Sequence, residues 1–185
     1  MLDGHKFGCG LHHIVSTPIV YSLGSNRQQD FEEGIRDIRP DSQMFVYELF
    51  AKNLPDEKLP NTSYFAIGLG YPKSENNDFK SLAQMMKDHQ HTYIDLLKMD
   101  IEGYEWEFIK MESDILPRIG QILFEVHLSR EHPSVLPMVE VFEKAGLRMY
   151  HRELNKLTKN HCEYSLIQSE WTMWNTVKKF SFTND

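Results

Sequence analysis

Charged and imidazole side chains occur at every second position in two short segments of the chain. The first segment contains Lys98, Asp100 and Glu102, and the second contains Glu125 and His127. Alternate residues of an extended strand share one face, so each segment presents its polar groups together. Carboxylates beside an imidazole are typical of a proton-transfer site, or of a metal site with oxygen and nitrogen ligands.

These two segments therefore predict a candidate active site with Asp100, Glu125 and His127 as its catalytic residues. No dedicated metal-ligand spacing is present. If a divalent metal binds, we expect Asp100, Glu102 and His127 to be its ligands. A structural interpretation also stays open, in which Glu102 begins the next helix and Lys98 pairs with a carboxylate. Charges at a strand end are costly to bury unless they are paired or bind a ligand.

A second candidate site lies around Gly24 and Glu48. Gly24 follows an apolar segment and permits a tight turn with close approach of the backbone to a ligand. Glu48 follows the next apolar segment, near the interval of about 20 residues at which an acid accepts hydrogen bonds from ribose hydroxyls. The three-glycine fingerprint of dinucleotide-binding folds is absent, so the pattern favours a nucleoside without a pyrophosphate.

Apolar runs and amphipathic segments alternate along the chain, which predicts an α/β fold. We expect a doubly wound, mostly parallel, seven-stranded sheet closed by an antiparallel C-terminal strand pair. In such a sheet ligands bind beyond the carboxyl ends of the strands, where both candidate sites are predicted to lie. The predicted strands are 19–23, 44–47, 63–67, 93–99, 121–127, 147–151 and 164–168, and the predicted helices are 30–38, 79–89, 105–111 and 133–145.

Length and charge limit the class of protein further. A chain of 185 residues predicts a single domain over 1–185, with an N-terminal lead-in at 1–17 and an aromatic C-terminal arm at 169–185. The 20 basic and 27 acidic residues give a net charge of −7, which argues against broad binding to nucleic-acid backbones. In the arm, Trp171, Trp174, Val177 and Phe180 recur every three residues and predict docking onto the core.

The ends of the chain and its two cysteines bear on its location. No apolar run is long enough for a membrane span, and the first residues lack the apolar region of a signal peptide. We therefore expect a soluble protein, cytoplasmic or, if a further N-terminal segment precedes it, secretory. Cys9 and Cys162 cannot form a zinc site by themselves, but one disulfide between them stays open.

Histidines outside the two candidate sites are interpreted as structural. The pair His12 and His13 and the pair His89 and His91 have no acid or cysteine at ligand spacing. His161, beside Cys162, is interpreted as the entry to a strand.

Residues 95–105 read Asp-Leu-Leu-Lys-Met-Asp-Ile-Glu-Gly-Tyr-Glu. This run resembles the strand-four signature of the FkbM-type S-adenosylmethionine-dependent methyltransferases, leucine-leucine-lysine-x-aspartate-x-glutamate-glycine-x-glutamate. Residues 20–24 resemble the glycine motif after strand one, and residues 122–128 resemble the Glu-x-His segment of strand five. Residues 3–6, Asp-Gly-His-Lys, resemble a lead-in of the methyltransferase-like animal branch. The resemblance extends over about 3–168.

The resemblance implies a Rossmann-like methyltransferase sheet that binds S-adenosylmethionine over strands one and two. Gly24 would approach the amino-acid part of the donor, Glu48 would hold its ribose, and Asp100 would face its reactive end. Ser25, Asn26 and Gly68 complete the expected donor-binding residues. The chain departs from the family pattern at the glycine motif, which has one glycine where many members have two. It also departs after the strand-two acid, where Leu49-Phe50 replaces a segment with proline and serine.

Two functions follow from this interpretation. The first is a methyltransferase that modifies an oxygen of a small-molecule or glycan-like acceptor, with no nucleic acid as partner. The alternative is a catalytically inactive descendant that keeps the sheet and acts as an interaction module.

Overall fold

The structure is a computed structural model that describes residues 6–70, 78–155, 158 and 160–170. Part of the predicted lead-in, at 1–5, lies outside the described residues. So do residues 71–77 and, with its predicted docking, the part of the aromatic arm at 171–185.

Seven strands form one sheet with helices on both faces, as the sequence predicts. The order of the strands is β3-β2-β1-β6-β7-β9-β8, and β9 runs antiparallel to both of its neighbours. The strands are β1 Ile19–Leu23, β2 Gln43–Tyr47, β3 Thr62–Phe65, β4 Gly68–Leu69, β5 Phe79–Lys80, β6 Ile94–Met99, β7 Ile119–His127, β8 Leu147–Leu154 and β9 His161–Gln168. The helices are α1 Asp30–Ile38, α2 Leu82–Asp88, α3 Glu105–Met111 and α4 Leu136–Lys144, with 3-10 turns at Leu11–His13, Ala51–Asn53 and Ser113–Arg118.

The largest departure from the predicted elements lies after the third strand. The predicted strand 63–67 ends at Phe65, and Gly68–Leu69 instead pairs in parallel with Phe79–Lys80 as a separate small sheet. The helix predicted to begin at 79 therefore begins at Leu82. Its start is set by Ser81, whose hydroxyl accepts a hydrogen bond from the amide of Gln84 at 3.0 Å, an ordinary N-cap.

Alternation along the strands separates two apolar clusters, one on each face of the sheet. In β6, Leu96 packs with Ile35 of α1 on one face, while Leu97 packs with Phe108 of α3 and Phe142 of α4 on the other. All six residues of β6 are buried, as expected for a central parallel strand. None of the helices among the described residues is long and apolar enough to cross a membrane.

The order in which successive strands are added to the sheet changes direction between the parallel neighbours β1 and β6. From β1 the chain proceeds to β2 and β3 on one side, whereas β6 leads to β7 on the other. This is the switch point at which such sheets bind ligands. Here the amide of Asp100 donates to the carbonyl of Leu23 at 3.0 Å, and the amide of Gly24 donates to the carbonyl of Tyr47 at 2.8 Å.

Gly24 and Gly34 provide a matched pair of substitutions that tests this junction. Gly24 has φ +78, and a Cβ added there would overlap the carbonyl oxygen of Asp100, whereas a Cβ at Gly34 in α1 meets nothing within 4 Å. We expect Gly24→Ala to lower the free energy of unfolding by about 3 kcal/mol or more through strain and overlap. Gly34→Ala should raise it by about 0.5–1 kcal/mol because alanine favours the helix.

Urea unfolding followed by circular dichroism measures both changes. Equal stability of the two variants would show that the backbone at Gly24 is not constrained by Asp100.

Candidate active site

A cavity of about 890 Å³ opens at the switch point, within the size range of small-molecule and cofactor sites. Its apolar lining includes Ile67, Leu69 and Phe79, and its polar lining includes Asp100. The structure therefore brings together every residue that the sequence assigned to donor binding. These are Gly24, Ser25, Asn26, Glu48, Gly68 and Asp100.

The turn after β1 is held by the carboxylate of Glu48. Oε2 of Glu48 accepts hydrogen bonds from the amides of Ser25 at 3.1 Å and Asn26 at 3.0 Å. Oε1 accepts a weaker one from the amide of Phe50 at 3.3 Å. Glu48 thus organises the turn as well as facing the cavity, a role that the sequence did not indicate.

Lys98 contacts the same turn through its side chain. Its side chain is buried, and its ammonium group donates a hydrogen bond to the carbonyl of Gly24. Burial lowers the pKa of Lys98, while the charges of Asp100 and Glu32 oppose that shift.

Glu102 does not continue the strand face that the spacing of two predicts. The strand ends at Met99, and Glu102 has φ 55. Its side chain is 84% exposed, yet its Oε2 still lies 3.5 Å from Nε2 of His127. The predicted cluster of Asp100, Glu102 and His127 forms, but through a turn rather than through an extended strand.

His127 lies at the centre of a group of carboxylates at the end of β7. Its Nδ1 lies 3.2 Å from Oε1 of Glu105, and its Nε2 lies 3.6 Å from Oε2 of Glu125. Burial by itself would lower the pKa of His127, but the hydrogen bond to Glu105 and the charges of Glu105, Glu125 and Asp100 raise it to about 9. The surrounding carboxylates thus favour the protonated, positively charged form of the His127 imidazole.

Glu105 and Lys6 belong to this group, although the sequence reasoning gave neither a role in the site. Glu105 is fully buried at the start of α3 and also accepts from the amide of Ile101 at 3.0 Å. Lys6 pairs with Glu163 and lies 3.8 Å from Oδ2 of Asp100. Both lie in segments that resemble the methyltransferase family, and this resemblance is the feature of the sequence that could have indicated them.

Glu163 and His161 enter the site from β9, which the sequence analysis also missed. Antiparallel pairing places Glu163 opposite Glu125, and His161 opposite His127. Burial raises the pKa of Glu163 to about 7, although Lys6 opposes the shift. His161 is the first residue of β9, as its interpretation as a strand entry implies, and its Nδ1 lies 3.6 Å from Oε1 of Glu125.

His89 and His91 lie in another part of the structure, and neither cysteine is bonded to the other. His89 and His91 contact buried tyrosines, at 2.7 Å from the hydroxyl of Tyr47 and 2.9 Å from that of Tyr21, so they serve packing. Cys9 is exposed, Cys162 is buried and both are free, so the disulfide left open by the sequence does not form.

Comparison with known proteins agrees with this architecture. The profile of a family described as "Methyltransferase domain" matches residues 1–168. Human "Probable methyltransferase-like protein 24" is 34% identical over 96 residues, which cover 44% of this chain and 26% of that protein. The chain thus matches about a quarter of the length of the curated relative.

Two solved structures that share this fold are methyltransferases. An rRNA methylase from Streptococcus thermophilus has a TM-score of 0.56 at 13% identity and covers 85% of this chain and 91% of that one. Magnesium protoporphyrin IX methyltransferase from Synechocystis, solved with bound SAM, has a TM-score of 0.53 at 8% identity and covers 83% and 71% of the two chains. At these identities the structures establish a shared fold, and the profile match over residues 1–168 shows that the chain belongs to the methyltransferase-domain family.

Proposed function

We propose that this domain is an S-adenosylmethionine-dependent methyltransferase of the FkbM type that methylates an oxygen of a small-molecule or glycan-like acceptor. The observation that supports it most is the cavity at the β1/β6 switch point. This cavity is lined by the Gly24 turn with Glu48 and by Asp100, which adjoins the carboxylates and imidazole at the end of β7.

The residues present fit the methyl donor. Gly24 and Gly68 both line the cavity, and a Cβ at either position would collide with neighbouring atoms of the protein. We assign Gly24, Ser25 and Asn26 to the amino-acid part of the donor and Glu48 to its ribose. The apolar lining beside Gly68 suits a nucleobase. The donor supplies an electrophilic methyl group on a sulfonium, and the protein contributes alignment of the two reactants.

A hydroxyl acceptor must lose its proton during the transfer, which requires a base near the reacting oxygen. Asp100 lines the cavity, with its side chain 22% exposed, and is the proton acceptor that we assign. Glu125 and His127 are not among the residues that line the cavity, and we assign them as further groups that take part in the proton transfer, next to Asp100 in the cluster at the end of β7.

The charge around the cavity supports a neutral acceptor. Asp30, Glu32, Glu48, Asp100 and Glu102 all line it. The two lysines of its wall are engaged within the protein, Lys6 with Glu163 and Lys98 with the carbonyl of Gly24. A phosphate backbone would meet unfavourable electrostatics here, even though one protein of the same fold is an rRNA methylase.

Glu48→Ala tests the donor site. Loss of a charged hydrogen-bond acceptor should weaken S-adenosylmethionine binding by about 1–3 kcal/mol, measured by isothermal titration calorimetry. Glu33→Ala is the matched control because Glu33 is exposed on α1, away from the cavity lining, and should leave the affinity unchanged. Equal affinity of a folded Glu48→Ala protein would refute the ribose assignment, and failure of wild type to bind millimolar donor would favour a non-catalytic interaction module.

Asp100→Asn and His127→Ala test the acceptor side. Each should abolish most transfer of labelled methyl groups from the donor. Asp100→Asn should leave the melting temperature close to that of wild type, whereas His127→Ala should lower it because the buried Glu105 loses its partner. Asp37→Asn, an exposed acid on α1, is the control and should keep full turnover. The methyl acceptors that are assayed include hydroxylated small molecules, glycans and an RNA. Normal turnover by Asp100→Asn would contradict its role, and transfer to RNA alone would contradict the acceptor class.

A further inference from the structure

We infer that Glu125, His127 and His161 form a binding site for one divalent transition-metal ion beside the donor cavity. The antiparallel pairing of β7 with β9 puts the two histidines directly opposite each other, with Glu125 two residues along β7. One ligand atom from each of the three residues lies within 4.8 Å of the other two. The imidazole rings are 4.3 Å apart, at an angle of 61°.

The spacing within the group fits ligands around an ion better than direct hydrogen bonds. Nε2 of His127 lies 3.6 Å from Oε2 of Glu125, and Nδ1 of His161 lies 3.6 Å from Oε1, so the two oxygens of this carboxylate each face one imidazole. Hydrogen bonds of this kind are about 2.7–3.2 Å long. Tetrahedral ligands at about 2.1 Å from a metal ion stand roughly 3.4 Å from one another, close to the observed distances.

Neighbouring groups orient two of the three ligands. Glu105 holds Nδ1 of His127 at 3.2 Å, which turns Nε2 toward Glu125. Asn155 donates to Oε1 of Glu125 at 2.9 Å. A carboxylate on the far nitrogen of a ligating histidine is the usual outer partner in metal sites, since it sets the tautomer and the ring orientation.

Buried carboxylates beside the site provide a second, independent indication of a cation. Glu105 and Glu163 are at most 2% exposed. Oε2 of Glu105 and Oε2 of Glu163 have no hydrogen-bond partner in the described part of the chain. Lys6 pairs with Glu163, but burial of this many carboxylates is costly without further positive charge.

The chemistry of the ligands selects the ion. Two imidazoles with one carboxylate suit Zn²⁺ and its transition-metal neighbours, whereas Mg²⁺ prefers oxygen ligands. The set expected from the sequence, Asp100, Glu102 and His127, uses the same histidine but includes a side chain that is 84% exposed. The less exposed set, Glu125 with the two histidines, is therefore the one that we assign. Three protein ligands leave a coordination position for water or an acceptor hydroxyl.

Binding of the ion does not depend on the donor, since none of Glu125, His127 and His161 lines the donor cavity. Only a role in activating an acceptor hydroxyl would rest on the proposed methyl transfer. Titrations of the same metal-free protein with ZnCl₂ and with S-adenosylmethionine therefore separate the two: zinc binding without donor binding contradicts the proposed function and leaves the metal site in place.

Calorimetric titration of the metal-stripped chain with ZnCl₂ and MgCl₂ tests the site. We expect one equivalent of Zn²⁺ to bind, with Mg²⁺ at least about 100-fold weaker. His161→Ala should weaken Zn²⁺ binding about 100-fold or more, and Glu105→Gln about 10–100-fold through misorientation of His127. The control is the double variant His12→Ala, His13→Ala, which removes an adjacent pair of exposed histidines and should keep wild-type affinity.

Equal Zn²⁺ affinity of wild type and His161→Ala, or loss of binding in the His12, His13 control, would overturn the assignment. If His161→Ala does not fold, the visible spectrum of Co²⁺-loaded wild type decides. Intense bands of a four-coordinate ion that vanish on adding Zn²⁺ support the site, and the weak spectrum of a hydrated ion contradicts it.

Discussion

The close approach of two backbone segments at the ends of β1 and β6 determines the geometry of the whole site. Gly24 turns directly over the carbonyl of Asp100, with no room for a side chain between them. From this contact the turn directs its amides toward Glu48 and its carbonyl toward Lys98. The backbone of the turn thus lines part of the cavity. The side chains of Glu48 and Lys98 are held in place by hydrogen bonds to that backbone.

The single glycine of the turn is accommodated by its neighbours. Asn26 and Arg27 adopt left-handed backbone conformations, with φ 43 and 67. Asparagine tolerates this region, whereas arginine does so only with support. That support comes from the 3-10 turn after β2, because the amide of Arg27 donates to the carbonyl of Asn53 at 2.7 Å and its Nε donates to that of Lys52 at 2.7 Å. Together with Glu48, these contacts stabilise the left-handed backbone that a second glycine would adopt without strain.

Electrostatics connect parts of the chain that are far apart in sequence. Lys6 joins Asp100 at the end of β6 to Glu163 in β9, so the N-terminal segment closes the acidic side of the site. The carboxylates that remain surround His127, and their charges outweigh the effect of burial on its pKa. An excess of buried negative charge at this edge is consistent with both a neutral acceptor and a bound cation.

Much of the site followed from local sequence. Parallel strands end at one edge of the sheet, so a polar residue directly after a buried apolar run is placed by topology alone. Glycine after β1, Glu48 after β2 and Asp100 after β6 were predictable for that reason, as was the strand that carries Glu125 and His127. The alternation of strands and helices likewise determined the α/β class, and the profile match confirms the methyltransferase family.

Only the tertiary structure decided which distant residues join them. His161 and Glu163 enter through the register of β9 against β7, and register depends on packing of the whole sheet. The contact of Lys6 with Asp100 depends on where the N-terminal segment lies. The hydrogen bonds between Glu48 and the turn after β1 depend on the parallel pairing of β1 with β2. The strand ends at Met99 and the backbone is left-handed at Glu102, so the predicted face is not completed. Local pattern places a residue on its own element, whereas contacts between elements are set by the free energy of the assembled core.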